Sequence, residues 1–188
     1  MTLKIYTKVG DQGLTKQVSG KMVAKDSAQI TALGDIDELQ SYLGVVIANL
    51  SKNCLELNDE LQELQRNLYL LEADIVVRRR HEIDDDKVKK LEKRIDELTP
   101  KIPKIPEFIL PGGMKTGANL QYARTIARRA ERSMVTLDRE EQKLASSNLK
   151  FINRLSDYIF TLGRYANVLD GYTDVKSKVK SKKNKNRR

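Results

Sequence analysis

Between residues 57 and 75 the apolar positions fall at Leu57, Leu61, Leu64, Leu68, Leu71 and Ile75. Steps of four and three put all six on one face of a helix and rule out the two-residue alternation of a half-buried strand. The same period recurs at Val88, Leu91, Ile95 and Leu98, and at Ile30, Leu33, Leu39, Leu43, Val46 and Leu50. It returns at Leu149, Ile152, Leu155, Ile159, Leu162, Ala166 and Leu169. A further helix is expected over roughly 116 to 145, with Leu120, Ala123, Ala127, Ala130, Met134 and Leu137 as small and medium apolar contacts. Five such helices in 188 residues, 39% of them hydrophobic, can share one core, so the sequence predicts a single all-α bundle.

The breaks agree. In VVRRRHEIDDDK, Arg78 to Arg80 close one helix and Asp84 to Asp86 open the next, matching each charge to the helix end that favours it. All four prolines lie in TPKIPKIPEFILP, between 100 and 111, which predicts an extended connection and leaves every proposed helix uninterrupted. The only β signal is a short extended piece at Leu3 to Thr7.

The net charge of +9 is concentrated at one end. KSKVKSKKNKNRR, residues 176 to 188, holds eight lysines and arginines and no acid, which is all but one of the excess. Residues 1–175 are therefore nearly neutral, and 176–188 are expected to form a disordered basic tail, a solvating segment in its ordinary reading and a polyanion contact in the alternative. No segment reaches the length of an apolar membrane span and no apolar leader opens the chain, so a cytoplasmic protein without membrane or nucleic-acid partners is expected. Cys54 and His81 each stand alone, the first expected as a small buried hydrophobe and the second as a solvated loop residue.

Three segments could carry chemistry. TKVGDQG, residues 7 to 13, can turn backbone N–H groups around Gly10 and Gly13 into an anion-binding concavity beside Lys8, Thr7 and Thr15, although its spacing is not that of a P-loop. In ARTIARRAER, Arg124, Arg128, Glu131 and Arg132 share one helix face, and planar paired donors on guanidinium groups suit phosphate oxygens. Asp37 and Glu38, and Asn153, Arg154 and Asp157, interrupt apolar helices, so they either pair with one another or await a ligand. Nucleophilic catalysis has no candidate base, the Glu-x-x-His spacing of di-iron bundles is missing, and no residue is assigned to a metal.

IYTKVGDQGLT, ALGDIDELQSYLG, FILPGG, ARTIARRAER and INRLSDYIFTLGRYAN, in that order from residue 4 to about residue 168, resemble the PduO-type ATP:cob(I)alamin adenosyltransferases. The resemblance implies a ferritin-like five-helix bundle with an extended N-terminal segment, assembled as a homotrimer with active sites between subunits. It implies transfer of the 5′-deoxyadenosyl group of ATP to the cobalt of cob(I)alamin, releasing triphosphate, with Mg2+ accompanying the nucleotide. A cobalamin reductase and a cobalamin-dependent acceptor enzyme are the implied partners.

Carried over by similarity, Thr7, Lys8, Val9, Gly10, Thr15, Lys16 and Lys25 contact the nucleotide from the N-terminal segment. Arg128, Arg129, Ala130, Glu131, Arg132 and Asn153 complete its site. The resemblance also pairs Arg124 with Asp37 across the subunit boundary and puts Phe108 under the corrin ring, where it excludes the lower axial base and leaves cobalt four-coordinate. Gln40 and Gly163 depart from the family's usual asparagine and alanine, and the basic tail is an addition. The alternatives are a module that binds ATP and cobalamin for delivery without turnover, and a helical scaffold that uses its tail on polyanions.

Overall fold

The computed structural model describes residues 5–77, 80–105 and 107–178. Five helices form, as the periodicity predicts: α1 (Ala28–Ala48), α2 (Asn58–Val76), α3 (Asp85–Leu98), α4 (Lys115–Glu140) and α5 (Ser146–Leu169). Their packing runs α2–α1–α4–α5–α3, so α4 is flanked by α1 and α5. Leu61, Leu64, Leu68, Leu71 and Ile75 of α2 are buried as the four-three spacing requires, while Leu57 belongs to a 3-10 turn over Lys52–Leu57 that leads into the helix. Burying one such leucine contributes about 1.5–3 kcal/mol.

In α1 the inward face differs from the expected one. Ala32, Ile36, Leu39, Leu43 and Val46 are buried, whereas Ile30 and Leu33 line a surface groove. Both sets obey a helical period, and the small Ala32 and Gly34 leave the register ambiguous in sequence. The acidic start of α3 is as expected: Asp84 is the N-cap and its carboxylate accepts from Lys87 N at 2.9 Å. Arg78 and Arg79 lie outside the described residues; Arg80 is exposed and pairs with Glu82.

The β structure is not where the sequence places it. Ile5, Tyr6 and Thr7 form no strand, Leu3 lies outside the described residues, and an antiparallel hairpin pairs β1 (Leu14–Lys16) with β2 (Met22–Ala24). The proline-rich connection is extended beyond a short turn at Thr99–Lys101.

The start of the basic run also differs from the expected disorder. Lys176 bridges Ile109 in antiparallel register, and Ser177 N donates to Phe108 O at 2.8 Å. Residues 179–188 lie outside the described residues. Cys54 is buried as expected, its thiol pushed up by burial, and His81 is exposed.

Candidate functional site

The N-terminal turn owes its shape to two left-handed residues, Lys8 at φ 61° and Gly13 at φ 79°. A non-glycine residue in that region is uncommon and marks a constrained backbone. Gly13 N donates to Gly10 O and Lys25 N to Gly13 O, which folds the turn back onto the end of β2. A Cβ on Gly10 would lie 2.9 Å from Lys25 Nζ, so a side chain there would push that ammonium away from the turn. The structure thus joins Gly10 and Lys25, with Lys8 and Val9 exposed in the turn, Thr7 just ahead of it, and Thr15 and Lys16 following in β1. Gln17 ties this unit to the bundle through Gln29, whose amide also donates to Ile75 O and Gln142.

On α4 the arginines separate by direction. Among the described residues Arg124, Arg128 and Arg132 have no carboxylate partner, whereas Arg129 pairs with Asp35 at 3.1 Å and also with Glu38. Its neighbour Ser133 donates to the same Asp35, so this part of the helix is tied to α1. Ala130 is 0% exposed in the core. Arg128 and Arg132 remain at the surface, where Arg132 Nη1 donates to the carbonyl of Arg128 at 2.9 Å. Asn153 on α5 is exposed and Glu131 is half-buried. Among the described residues no side-chain hydrogen bond links the hairpin to this arginine face.

Arg124 belongs to a second feature. With Phe108, Ile105, Ile109, Gln121 and Phe160 it lines a cavity of about 550 Å³. The Phe108 ring is 88% exposed, an unusual position for a large aromatic group that could have joined the core. Gln121 Oε1 accepts from Arg124 Nε at 3.2 Å, and burial, followed by the nearby charge of Arg128, lowers the Arg124 pKa. Gln121 is 3% exposed and its Nε2 has no partner within the described residues.

Asn167, near the end of α5, shapes the approach to this cavity. Its Oδ1 accepts from Met114 N at 3.2 Å and its Nδ2 donates to Gly112 O at 3.2 Å. A Cβ on Gly113, at φ 139°, or on Gly117 would collide with that carboxamide, which explains glycine at those two positions. Asn167→Ala is expected to lower the unfolding free energy by about 1–3 kcal/mol in denaturant titration, because two part-buried backbone groups lose their partners.

Asp37 lies elsewhere, exposed in the groove between α1 and α2 beside Ile30, Leu33, Tyr69 and Glu72. Among the described residues of one chain it pairs with no arginine. Burial, and next the charge of Asp37, pushes the Glu72 carboxyl up to about 7. A carboxyl raised in this way favours folding below its unfolded value of 4.5, and that benefit is lost as pH rises through about 7. Glu72→Gln is expected to match the parent's thermal midpoint at about pH 4 and exceed it at about pH 8.

The family model for cobalamin adenosyltransferases matches residues 5–166. The chain belongs to the cobalamin adenosyltransferase family. It is 40% identical over 178 residues to the corrinoid adenosyltransferase of Bacillus subtilis, covering 92% of this chain and 91% of that protein. With the human corrinoid adenosyltransferase MMAB it shares 35% identity over 177 residues, 89% of this chain and 70% of the human one.

Among solved structures it resembles a phenylalanine-to-alanine variant of the PduO-type ATP:corrinoid adenosyltransferase from Lactobacillus reuteri complexed with cobalamin and ATP. The TM-score is 0.87 at 38% identity, over 94% of this chain and all of that one. An arginine-to-lysine variant from the same organism, complexed with ATP, gives a TM-score of 0.88 at 38% identity over 93% of this chain and all of that one. The adenosyltransferase fold expected from the five sequence blocks is therefore the fold observed.

Sequence reasoning missed Gln121 and Asn167. Gln121 has one usable signal, a polar residue one turn before Arg124 on an otherwise apolar face. Asn167 has none, since its importance comes from glycine backbones distant in sequence.

Proposed function

We propose that this protein transfers the 5′-deoxyadenosyl group of ATP to the cobalt of cob(I)alamin, giving adenosylcobalamin and inorganic triphosphate. The observation that carries the reading is on α4. Arg124 lines the Phe108 cavity, and one and two turns further along Arg128 and Arg132 have no carboxylate partner among the described residues. An apolar cavity suited to a flat macrocycle and a cationic face suited to phosphates thus share one rigid element.

The cobalt electron pair forms a bond to C5′, and the C5′–O bond breaks with its electrons leaving on triphosphate. Cob(I)alamin is itself strongly nucleophilic, so the chain has to align the reactants and stabilise the leaving charge. In this reading Arg128, Arg132, Glu131 and Asn153 face the nucleotide, together with Thr7, Lys8, Val9, Gly10, Thr15, Lys16 and Lys25 of the N-terminal unit. Arg129 and Ala130, committed to α1 and to the core, hold the helix in place. Phe108 covers the lower face of the corrin and keeps its axial base away.

The absence, among the described residues, of any side-chain hydrogen bond between the hairpin and the arginine face of one chain supports a site shared between subunits of a homotrimer. Arg124 and Asp37, each without an opposite charge among the described residues, would pair across that boundary. Loss of one partner from such a desolvated pair costs about 3–5 kcal/mol, more than the intact pair contributes. A magnesium ion travelling with ATP would draw its ligands from phosphate and water, as no three His, Cys, Asp or Glu side chains converge among the described residues. A reductase would supply cob(I)alamin and a cobalamin-dependent enzyme would take the product. A cytoplasmic setting suits these partners, and no helix among the described residues is long and apolar enough to cross a membrane.

The test is to mix the protein, ATP and chemically reduced cobalamin and follow the corrin spectrum. Protein-dependent conversion to adenosylcobalamin is expected. ATP binding with an unchanged spectrum would overturn the reading in favour of a delivery module.

A further inference from the structure

Phe108 is presented by a loop that the core does not hold directly. Phe108 is 88% exposed, and the backbone from its own carbonyl to the amide of Leu110 bonds to residues 175–177. Ser177 N donates to Phe108 O at 2.8 Å, Leu110 N donates to Val175 O at 2.8 Å, and Ile109 faces Lys176 in the antiparallel bridge between them. Lys176 Nζ also reaches Glu107 Oε1 at 3.0 Å.

The other end of this strap is welded to α5. Asp174 Oδ2 accepts from Arg164 Nε at 2.7 Å, both side chains nearly buried at 13% and 9% exposure, and Asp174 Oδ1 accepts from Asn167 Nδ2 at 3.3 Å. Arg164 Nη2 donates to Pro103 O at 2.6 Å, which fixes the beginning of the same loop. Two backbone bonds that bracket Ile109 restrain the carbonyl side of Phe108, and a nearly buried charge pair gives the strap a rigid anchor.

We propose that residues 174–177 are a positioning strap for Phe108. Asp174 anchors the segment on α5, and the backbone of Val175 and Ser177 sets the height and tilt at which the Phe108 ring enters its cavity. The inference rests on the reading of Phe108 as the group under the corrin, and adds a device that no property of Phe108 itself implies. The basic run beyond Lys178 is not required for it. A ring meant to displace an axial base has to be held to within a fraction of an ångström, and a loop fixed only at its ends would not achieve this.

Two truncations separate the strap from the tail. A chain ending at Lys178 keeps every bond described above; a chain ending at Asp174 keeps the Arg164 anchor and loses the ladder. Each is loaded with ATP and cob(II)alamin, and the four-coordinate fraction is read from its absorption and magnetic circular dichroism spectra. Ending at Lys178 should leave that fraction at the full-chain value. Ending at Asp174 should reduce the four-coordinate to five-coordinate ratio about tenfold, the effect expected for two lost hydrogen bonds, with unchanged ATP affinity.

Ser177→Pro, which removes the N–H donor and also fixes φ at that position, should give at least part of the same loss, while Ser177→Ala, which keeps the donor, should not. Hydrogen exchange on the ligand-free protein supplies a readout without cobalamin: the Leu110 and Ser177 amides should be protected in the full chain, and Leu110 should lose protection on ending at Asp174. An unchanged four-coordinate fraction in the Asp174-ended chain, while Phe108→Ala loses it, would overturn the strap alone. If Phe108→Ala also leaves the fraction unchanged, the reading of Phe108 falls and the strap falls with it.

Discussion

Arg128→Ala is expected to lower kcat for adenosyl transfer by about 10²–10³-fold, the effect of removing one well-placed donor from a developing oxyanion. Its thermal midpoint should stay at the parent value. The two expectations together make the test sharp. Arg128 is exposed and makes no ion pair among the described residues, and the hydrogen bond it accepts from Arg132 uses the backbone carbonyl that alanine retains. No packing is lost, so a fall in rate has to come from the ligand side. Arg129→Ala should behave in the opposite sense, because it breaks the pairing with Asp35 and Glu38 that joins α4 to α1. Single-turnover kinetics with ATP in excess would measure the first effect; a normal rate in Arg128→Ala would remove that residue from the site.

Phe108→Ala is expected to reduce turnover from cob(II)alamin on the order of 10²-fold, comparable to the loss that follows misplacement of a reacting group. ATP binding should persist. The ring contributes little to the core, so stability offers no competing explanation. Its role in the proposed reaction is to occupy the space below the corrin, and removal of the axial donor makes cobalt easier to reduce. The variant should therefore hold cobalamin in its five-coordinate form and recover much of its rate when cob(I)alamin is generated chemically beforehand. Equal rates from cob(II)alamin in variant and parent would contradict the role.

The helices were legible because a 3.6-residue period survives in any sequence that must bury one face, and α2 and α5 show it without interruption. The hairpin was not. Its strands are three residues long, and only Thr15 and Val23 are even half-buried, so no alternation exists to be read. Arg128 and Arg129 are adjacent letters, yet about 100° of helical rotation puts one at the surface and the other against Asp35. Sequence can express that rotation only once the buried face of α4 is fixed. Lys176 and Ser177 were hidden for a different reason: their pairing with the Phe108 loop runs from backbone to backbone, which a lysine-rich run neither advertises nor forbids.

The glycine turn at one end of the described chain and the ladder onto Phe108 at the other leave little room for laboratory additions. A tag or linker inserted next to residues 7–13 or 174–177 would disturb a segment with work to do. The exposed stretch at Arg80 and His81, between α2 and α3, lies outside both the Phe108 cavity and the arginine face. Label attachment or immobilisation is better directed there.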